Sequence, residues 1–236
     1  MKFGIIGGIG PASTINYYNG IVTKYLDELA TYPSLVIDSI NMTEIVGCFS
    51  QSDYNGVCQL LVSAIENLKN AGACYAAIAS NTPHIVFDQL KDQSPLPLIS
   101  IVEETCKCVI ENNYKSVLIL GTGFTMKSGM YENALLKHNI SAFVPSAEDI
   151  ENLHNIIFPN LENGIVVPED KKKMVAISEH YISKYNIDAV ILGCTEIPLM
   201  IHENDLSVPT INTTKVHIEA IARLMINDAK HKDCVV

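Results

Sequence analysis

Asp188-Ala-Val-Ile-Leu-Gly-Cys194-Thr-Glu-Ile-Pro198 reads as a strand that runs through a glycine into a polar turn and then a helix. Ala189 to Leu192 is an unbroken apolar run rich in β-branched residues, the pattern of a strand covered on both faces. In open α/β sheets, ligands sit beyond the carboxyl ends of strands and beside helix N-termini. Cys194 therefore stands where a small anionic substrate is held, and a positive helix end there favours a thiolate. The stretch alone fits a second reading equally well: a small apolar cysteine that closes a strand, since free cysteines are commonly buried.

A second copy of the pattern decides for the site. Tyr75-Ala-Ala-Ile-Ala-Ser80-Asn-Thr-Pro-His84 is another apolar strand ending in a small hydroxyl residue, and Ser80 precedes Cys194 by 114 positions. The same offset carries the first strand, Lys2-Phe-Gly-Ile-Ile-Gly7, onto Ser116-Val-Leu-Ile-Leu-Gly121. Each copy continues into a Pro-led strand, Leu96-Pro-Leu-Ile-Ser100 and Val208-Pro-Thr-Ile-Asn212, where the offset slips by two residues. The chain is a duplicated α/β unit that presents Ser80 and Cys194 at equivalent strand ends.

Length and composition bound the rest. The 236 residues suffice for one large domain or two small ones. A content of 48% hydrophobic and 18% charged residues belongs to a folded globule. The net charge of −10 argues against nucleic acid and anionic membrane as partners. No apolar run approaches the roughly 20 residues that span a bilayer, and the N-terminus enters a strand directly, unlike a signal peptide. Seven cysteines without a C-x-x-C pair point to free thiols and a cytoplasmic location. Cys106-Lys-Cys108 lies in a helical pattern with no second pair, so no metal site is expected.

In chain order, helices are expected over 11–29, 53–70, 83–90 and 102–113, then near 126–138, 147–162, 169–186 and 214–230. Strands at 35–40, 141–144 and 208–211 join those already named. Alternating strands and helices mean βαβ units and parallel sheets. Two such halves facing each other place the substrate in the crevice between them. The loop Gly8-Ile-Gly10-Pro11 resembles the start of a dinucleotide fingerprint but lacks its third glycine and its acidic partner, so no cofactor is expected. A glycine turn that aims backbone N–H groups at a carboxylate fits it as well.

Four motifs together resemble the aspartate/glutamate racemase family: Gly4-Ile-Ile-Gly-Gly-Ile-Gly-Pro11, Ser80-Asn-Thr-Pro-His84, Gly121-Thr-Gly-Phe-Thr-Met126 and Leu192-Gly-Cys-Thr-Glu-Ile197. The resemblance covers essentially the whole chain. It implies racemisation of amino acids without pyridoxal phosphate, by two cysteines acting on opposite faces of the α-carbon. It also implies two pseudo-symmetric domains, residues 1–100 with 210–236 and residues 101–209, and a homodimer. The expected catalytic residues are Cys194, Ser80 and Glu196; the expected substrate-binding residues are Gly8, Asn81, Thr82, Thr122 and Thr195. Glu196 either orients or deprotonates Cys194, or caps the following helix. His84 either relays protons or serves the fold.

The chemistry suits these residue types. Removing an α-proton requires a nearby base and stabilisation of the enolate-like carboxylate, and a thiol with an ordinary pKa near 8.5 needs modest help to act. Three departures matter. Ser80 stands where the family usually has its first cysteine, and a hydroxyl is a far weaker acid. Acidic-substrate members hold the distal carboxylate with an Arg and a Lys, whereas Asn41-Met-Thr-Glu-Ile-Val-Gly47 and Gly164-Ile-Val-Val-Pro168 carry no cation, and the single Arg, Arg223, lies in the last helix. Asn212 replaces the Asp that often precedes Thr-Thr. The expected function is a cofactor-independent amino-acid racemase; a one-thiol decarboxylase or isomerase and an amino-acid binder with little turnover are its rivals.

Overall fold

The computed structural model describes residues 1–233, so Cys234 falls outside it. The chain divides into two units, Met1–Ile101 with the segment from His217 onward, and Val102–Val216. The first unit runs β1 (Lys2–Gly7), α1 (Pro11–Leu29), β2 (Ser34–Ser39), α2 (Met42–Ser50), α3 (Tyr54–Asn70), β3 (Tyr75–Ile78), a 3₁₀ turn at Thr82–Val86, α4 (Phe87–Gln93), β4 (Leu98–Ile99) and the start of α5 (Ile101–Glu111). The second runs β5 (Ser116–Gly121), α6 (Gly123–Lys127), α7 (Met130–Leu136), β6 (Ser141–Phe143), α8 (Ala147–Ile157), a 3₁₀ turn at Leu161–Asn163, α9 (Pro168–Tyr185), β7 (Ala189–Gly193), α10 (Ile197–Met200) and β8 (Thr210–Asn212). The final helix, α11 (Thr213–Asp233), begins in the second unit and belongs to the first from His217.

Each unit holds one four-stranded parallel sheet, ordered β2-β1-β3-β4 and β6-β5-β7-β8. The duplication extends to register. Phe3 lies opposite Tyr75, and the pair 114 positions on, Val117 opposite Ala189, is also observed. The edge strands keep the order but not the offset. Leu98 faces Ala76 while Thr210 faces Val190, two positions short of the shift. Ser34 faces Lys2 while Ser141 faces Ser116, seven short; the 5- and 7-residue helices α6 and α7 occupy the place of the 19-residue α1.

Parallel strands covered on both faces need apolar residues at every position. In the first sheet Ile6, Ala76 and Ile78 pack with Leu61, Ile65 and Leu68 of α3, whereas Phe3, Ile5 and Ala77 pack with Tyr17 and Ile21 of α1 and with Ile218, Ile221 and Met225 of α11. In the second sheet Leu118, Leu120, Val190 and Leu192 pack against Ile150, Leu153 and Met174, and Cys194 closes that row. Each fully buried Leu or Ile contributes about 1.5–3 kcal/mol.

The expected architecture of two duplicated parallel-sheet α/β units is observed, with local differences. β8 pairs with β7, so residues 210–216 join the second unit and not the first. The helix expected near 126–138 is interrupted at Gly129, whose φ of +70° is left-handed. α8 stops at Ile157, two residues before Pro159, because proline cannot continue the ladder. Residues 42–50, not assigned to a helix from sequence, form α2, capped by the Asn41 side chain accepting from Thr43 N–H at 3.0 Å. No helix among the described residues is long and apolar enough to cross a membrane.

Candidate active site

In the second unit, β7 delivers Cys194 through Gly193. A Cβ on Gly193 would stand 3.0 Å from the Leu120 carbonyl oxygen, a tight contact, so glycine eases the close approach of the strand end to β5. Thr213, the first residue of α11, donates its hydroxyl to Leu192 O at 2.9 Å and ties that helix to the same strand end. Cys194 is buried, 7% exposed, and its Sγ donates to Glu196 Oε2 at 3.0 Å.

Burial raises the Cys194 thiol well above its ordinary pKa and the Glu196 charge raises it further, although backbone N–H groups of Glu196 and Ile197 pull the other way. The expected helix-stabilised thiolate is therefore not the resting form: α10 has four residues, too few for a strong end field, and desolvation wins. The resting group is a thiol that donates to a carboxylate. Glu196 stands at the N-cap of α10, makes no side-chain cap bond there, and accepts from Cys194 instead.

Two further polar residues of the second unit were not read from the sequence. Glu162, in the 3₁₀ turn Leu161–Asn163, has its carboxyl raised by burial and then by Glu196. His154 of α8 accepts the Gly123 N–H through Nδ1 at 3.4 Å and packs against Phe158, ring centroids 4.8 Å apart. Neither residue lies in one of the four motifs: His154 stands on α8 and Glu162 in the 3₁₀ turn that follows it. Thr122 caps α6, accepting from Thr125 N at 3.2 Å. Thr195 is half-buried beside Cys194.

In the first unit, β3 leads to Ser80, half-buried, followed by buried Asn81 and half-buried Thr82 at the head of the 3₁₀ turn. Ser13 of α1 donates to Ala79 O at 2.7 Å, holding the strand end. Gly8 has φ +85°, and a Cβ there would meet Ile40 O at 2.3 Å, so its conformation requires glycine. Its N–H, offered to a carboxylate in the sequence reading, donates to Thr14 Oγ1 at 2.9 Å. Gly8 shapes the loop and its amide is already used.

His84 is buried and makes two bonds: Nδ1 to Ser80 O at 3.0 Å and Nε2 to the Ile101 N–H at 3.3 Å. Burial lowers its pKa to about 4. Because Ile101 N–H is a donor, Nε2 accepts and Nδ1 carries the hydrogen. His84 is thus a neutral tie between β3 and the start of α5, and the structural reading holds over the relay.

Residues 6–221 match the family model described as Asp/Glu/Hydantoin racemase. The chain belongs to this family. An aspartate racemase homologue from Pyrococcus horikoshii OT3, solved as a crystal structure, is 34% identical, with 95% of this chain and 98% of that one covered at a TM-score of 0.83. A glutamate racemase from Aquifex aeolicus is 31% identical over 140 residues, 58% of this chain; the match spans 51%, about half, of that protein. The broad specificity amino-acid racemase RacX of Bacillus subtilis is 22% identical, covering 89% of this chain and 92% of its own. The resemblance read from the four motifs is borne out at the level of the family.

Proposed function

We propose that this chain is a pyridoxal-independent amino-acid racemase that exchanges the α-hydrogen through Cys194, with Ser80 as a weaker counterpart. The observation that carries the proposal is the buried thiol of Cys194 donating to Glu196 at the end of β7, in the register position equivalent to Ser80. For Cys194 to act as a base, its proton passes to Glu196. The thiolate then takes the α-hydrogen as a proton, and the C–H electron pair moves into the carboxylate to give an enediolate. Reprotonation of the other face by the Ser80 hydroxyl inverts the centre, leaving an alkoxide that recovers its proton from water. Asn81, Thr82, Thr122 and Thr195 are assigned to the substrate carboxylate and ammonium. Relatives bearing glutamate racemase, aspartate racemase homologue and broad specificity racemase names support an amino-acid substrate.

The inequality of thiol and hydroxyl favours a second reading, in which Cys194 moves a proton on one face only, as in a decarboxylase or a one-sided isomerase. A homodimer is part of the first reading, supported by Ile15 and Tyr18 of α1 and Ile37 of β2, which leave exposed apolar surface on the first unit. Light scattering on the purified chain measures its mass. The test of function is α-hydrogen exchange in deuterated water, followed for both enantiomers of a panel of amino acids. Exchange with inversion, lost in Cys194→Ala with binding retained, is the expected result. Exchange without inversion selects the one-sided reading, and no exchange with any amino acid overturns both.

A further inference from the structure

The first unit buries two imidazoles completely, and together they hold the two backbone ends beside Ser80. His84 donates from Nδ1 to the carbonyl of Ser80 itself, four residues earlier, and accepts the N–H of Ile101 on Nε2. His217 of α11 bonds the carbonyl of Ile99 at 3.0 Å through Nε2 and meets the Tyr17 hydroxyl at 2.8 Å through Nδ1. A carbonyl only accepts, so Nε2 of His217 carries the hydrogen and Nδ1 accepts from Tyr17. The rings of His84 and His217 lie edge to face, centroids 6.3 Å apart, and His84 stacks on Phe87 at 5.2 Å. β4 has only two residues, and the backbone just beyond it is held by these side chains rather than by a longer ladder.

We propose that His84 is a positioning residue for Ser80: its Nδ1–H fixes the carbonyl of Ser80, and so the orientation from which the Ser80 hydroxyl projects, while Nε2 anchors the ring to Ile101. His217 holds the adjoining strand end and keeps the His84 ring in place. This assignment rests on the reading of Ser80 as an acid/base above. The ring has no bond left for substrate, so His84 acts through Ser80 alone. A displacement of reacting groups by about 1 Å costs on the order of 10²-fold in rate, and the loss falls on the exchange that Ser80 performs, not on that of Cys194.

Two substitutions separate the two ring nitrogens. An Asn amide places its donor near Nδ1 and cannot reach Ile101; a Gln amide places its acceptor near Nε2 and loses the donor to Ser80. Exchange in deuterated water is measured for each enantiomer, with Ser80→Ala and Cys194→Ala defining which enantiomer depends on which residue. His84→Gln is expected to slow the Ser80-dependent exchange by about 10²-fold while sparing the Cys194-dependent one, and His84→Asn to retain both within roughly tenfold. Equal loss of both exchanges in both variants, or no loss in either, overturns the positioning role. If Ser80→Ala changes neither enantiomer while Cys194→Ala abolishes exchange, the acid/base reading of Ser80 falls and takes this role with it. Imidazole 15N shifts of the wild-type protein test the contact without any variant: His84 is expected protonated on Nδ1, and an Nε2–H tautomer overturns the proposal.

Discussion

The Tyr17 hydroxyl donates to Nδ1 of His217 across 2.8 Å, joining the first helix to the last through two groups that are both fully buried. Tyr17→Phe keeps the ring and removes the donor, leaving a buried imidazole nitrogen unsatisfied at a cost of about 1–3 kcal/mol. The expected result is a lower denaturation midpoint at unchanged slope in a urea titration. An unaltered midpoint counts against the bond.

His217 and its buried neighbour His84 predict acid sensitivity. Burial depresses His84 to about 4, and burial followed by the neighbouring His84 depresses His217 to about 3, from the usual 6.5. Below pH 6.5 the unfolded chain binds protons that the folded chain refuses, so stability is full above that pH and falls as pH drops towards 4. Each histidine contributes a slope of up to about 1.4 kcal/mol per pH unit. Denaturation at pH 7.5, 6.0 and 5.0 should show the loss before most carboxylates titrate; constant stability over that window would refute it.

Glu196→Gln separates two effects of one carboxylate. The amide cannot receive the thiol proton, and α-hydrogen exchange should fall by about 10²–10⁴-fold. Removing the charge also removes one of the causes that raise the Cys194 thiol. Alkylation of Cys194 by iodoacetamide at neutral pH should therefore become faster as turnover becomes slower. Slower alkylation would mean that the carboxylate activates the thiol at rest.

Ser80→Cys supplies the second thiol. If the hydroxyl limits proton transfer on its face, inversion should rise by about 10²-fold or more. Chiral chromatography of the product mixture reads it directly. An unchanged rate with substrate binding intact removes Ser80 from the proton path.

Substrate choice follows from missing charge. A distal carboxylate buried without a cation costs several kcal/mol, and α2, which overlaps the segment where the family resemblance looks for that cation, carries Glu44 as its only charged residue. Neutral amino acids are expected to exchange within about tenfold of aspartate and glutamate, a gap of roughly 1.4 kcal/mol. A hundredfold preference for either dicarboxylate over every neutral amino acid would require a cation not assigned to the site.

Repetition made the sheet legible. Ala189–Gly193 and Val117–Gly121 are buried on both faces, so periodicity is replaced by unbroken apolar runs that repeat at a fixed offset, and their pairing follows. α2 was missed because nine residues beginning at a single Asn cap give too little periodicity to stand out. At the site, Cys194 and Glu196 could be paired in advance since two residues separate them. The bond of His84 to Ile101 could not, because Ile101 lies 17 positions away and reaches it only once β3 and β4 lie side by side. The protonation of Cys194 is illegible in sequence for a related reason: a helix end is visible there, but burial of the sulfur depends on helices packing over it.

The unequal ends of β3 and β7, hydroxyl on one and thiol on the other, have a thermodynamic consequence. Mirror-image amino acids have the same free energy in water, so the equilibrium constant of a racemisation is one whatever catalyses it. The ratio of kcat to KM must then be identical in the two directions, however poorly matched the acid and base. If Ser80 and Cys194 act as proposed, their asymmetry can show only as paired differences, one enantiomer bound more tightly and turned over more slowly by the same factor. The serine cannot set which enantiomer accumulates; that is left to whatever consumes the product.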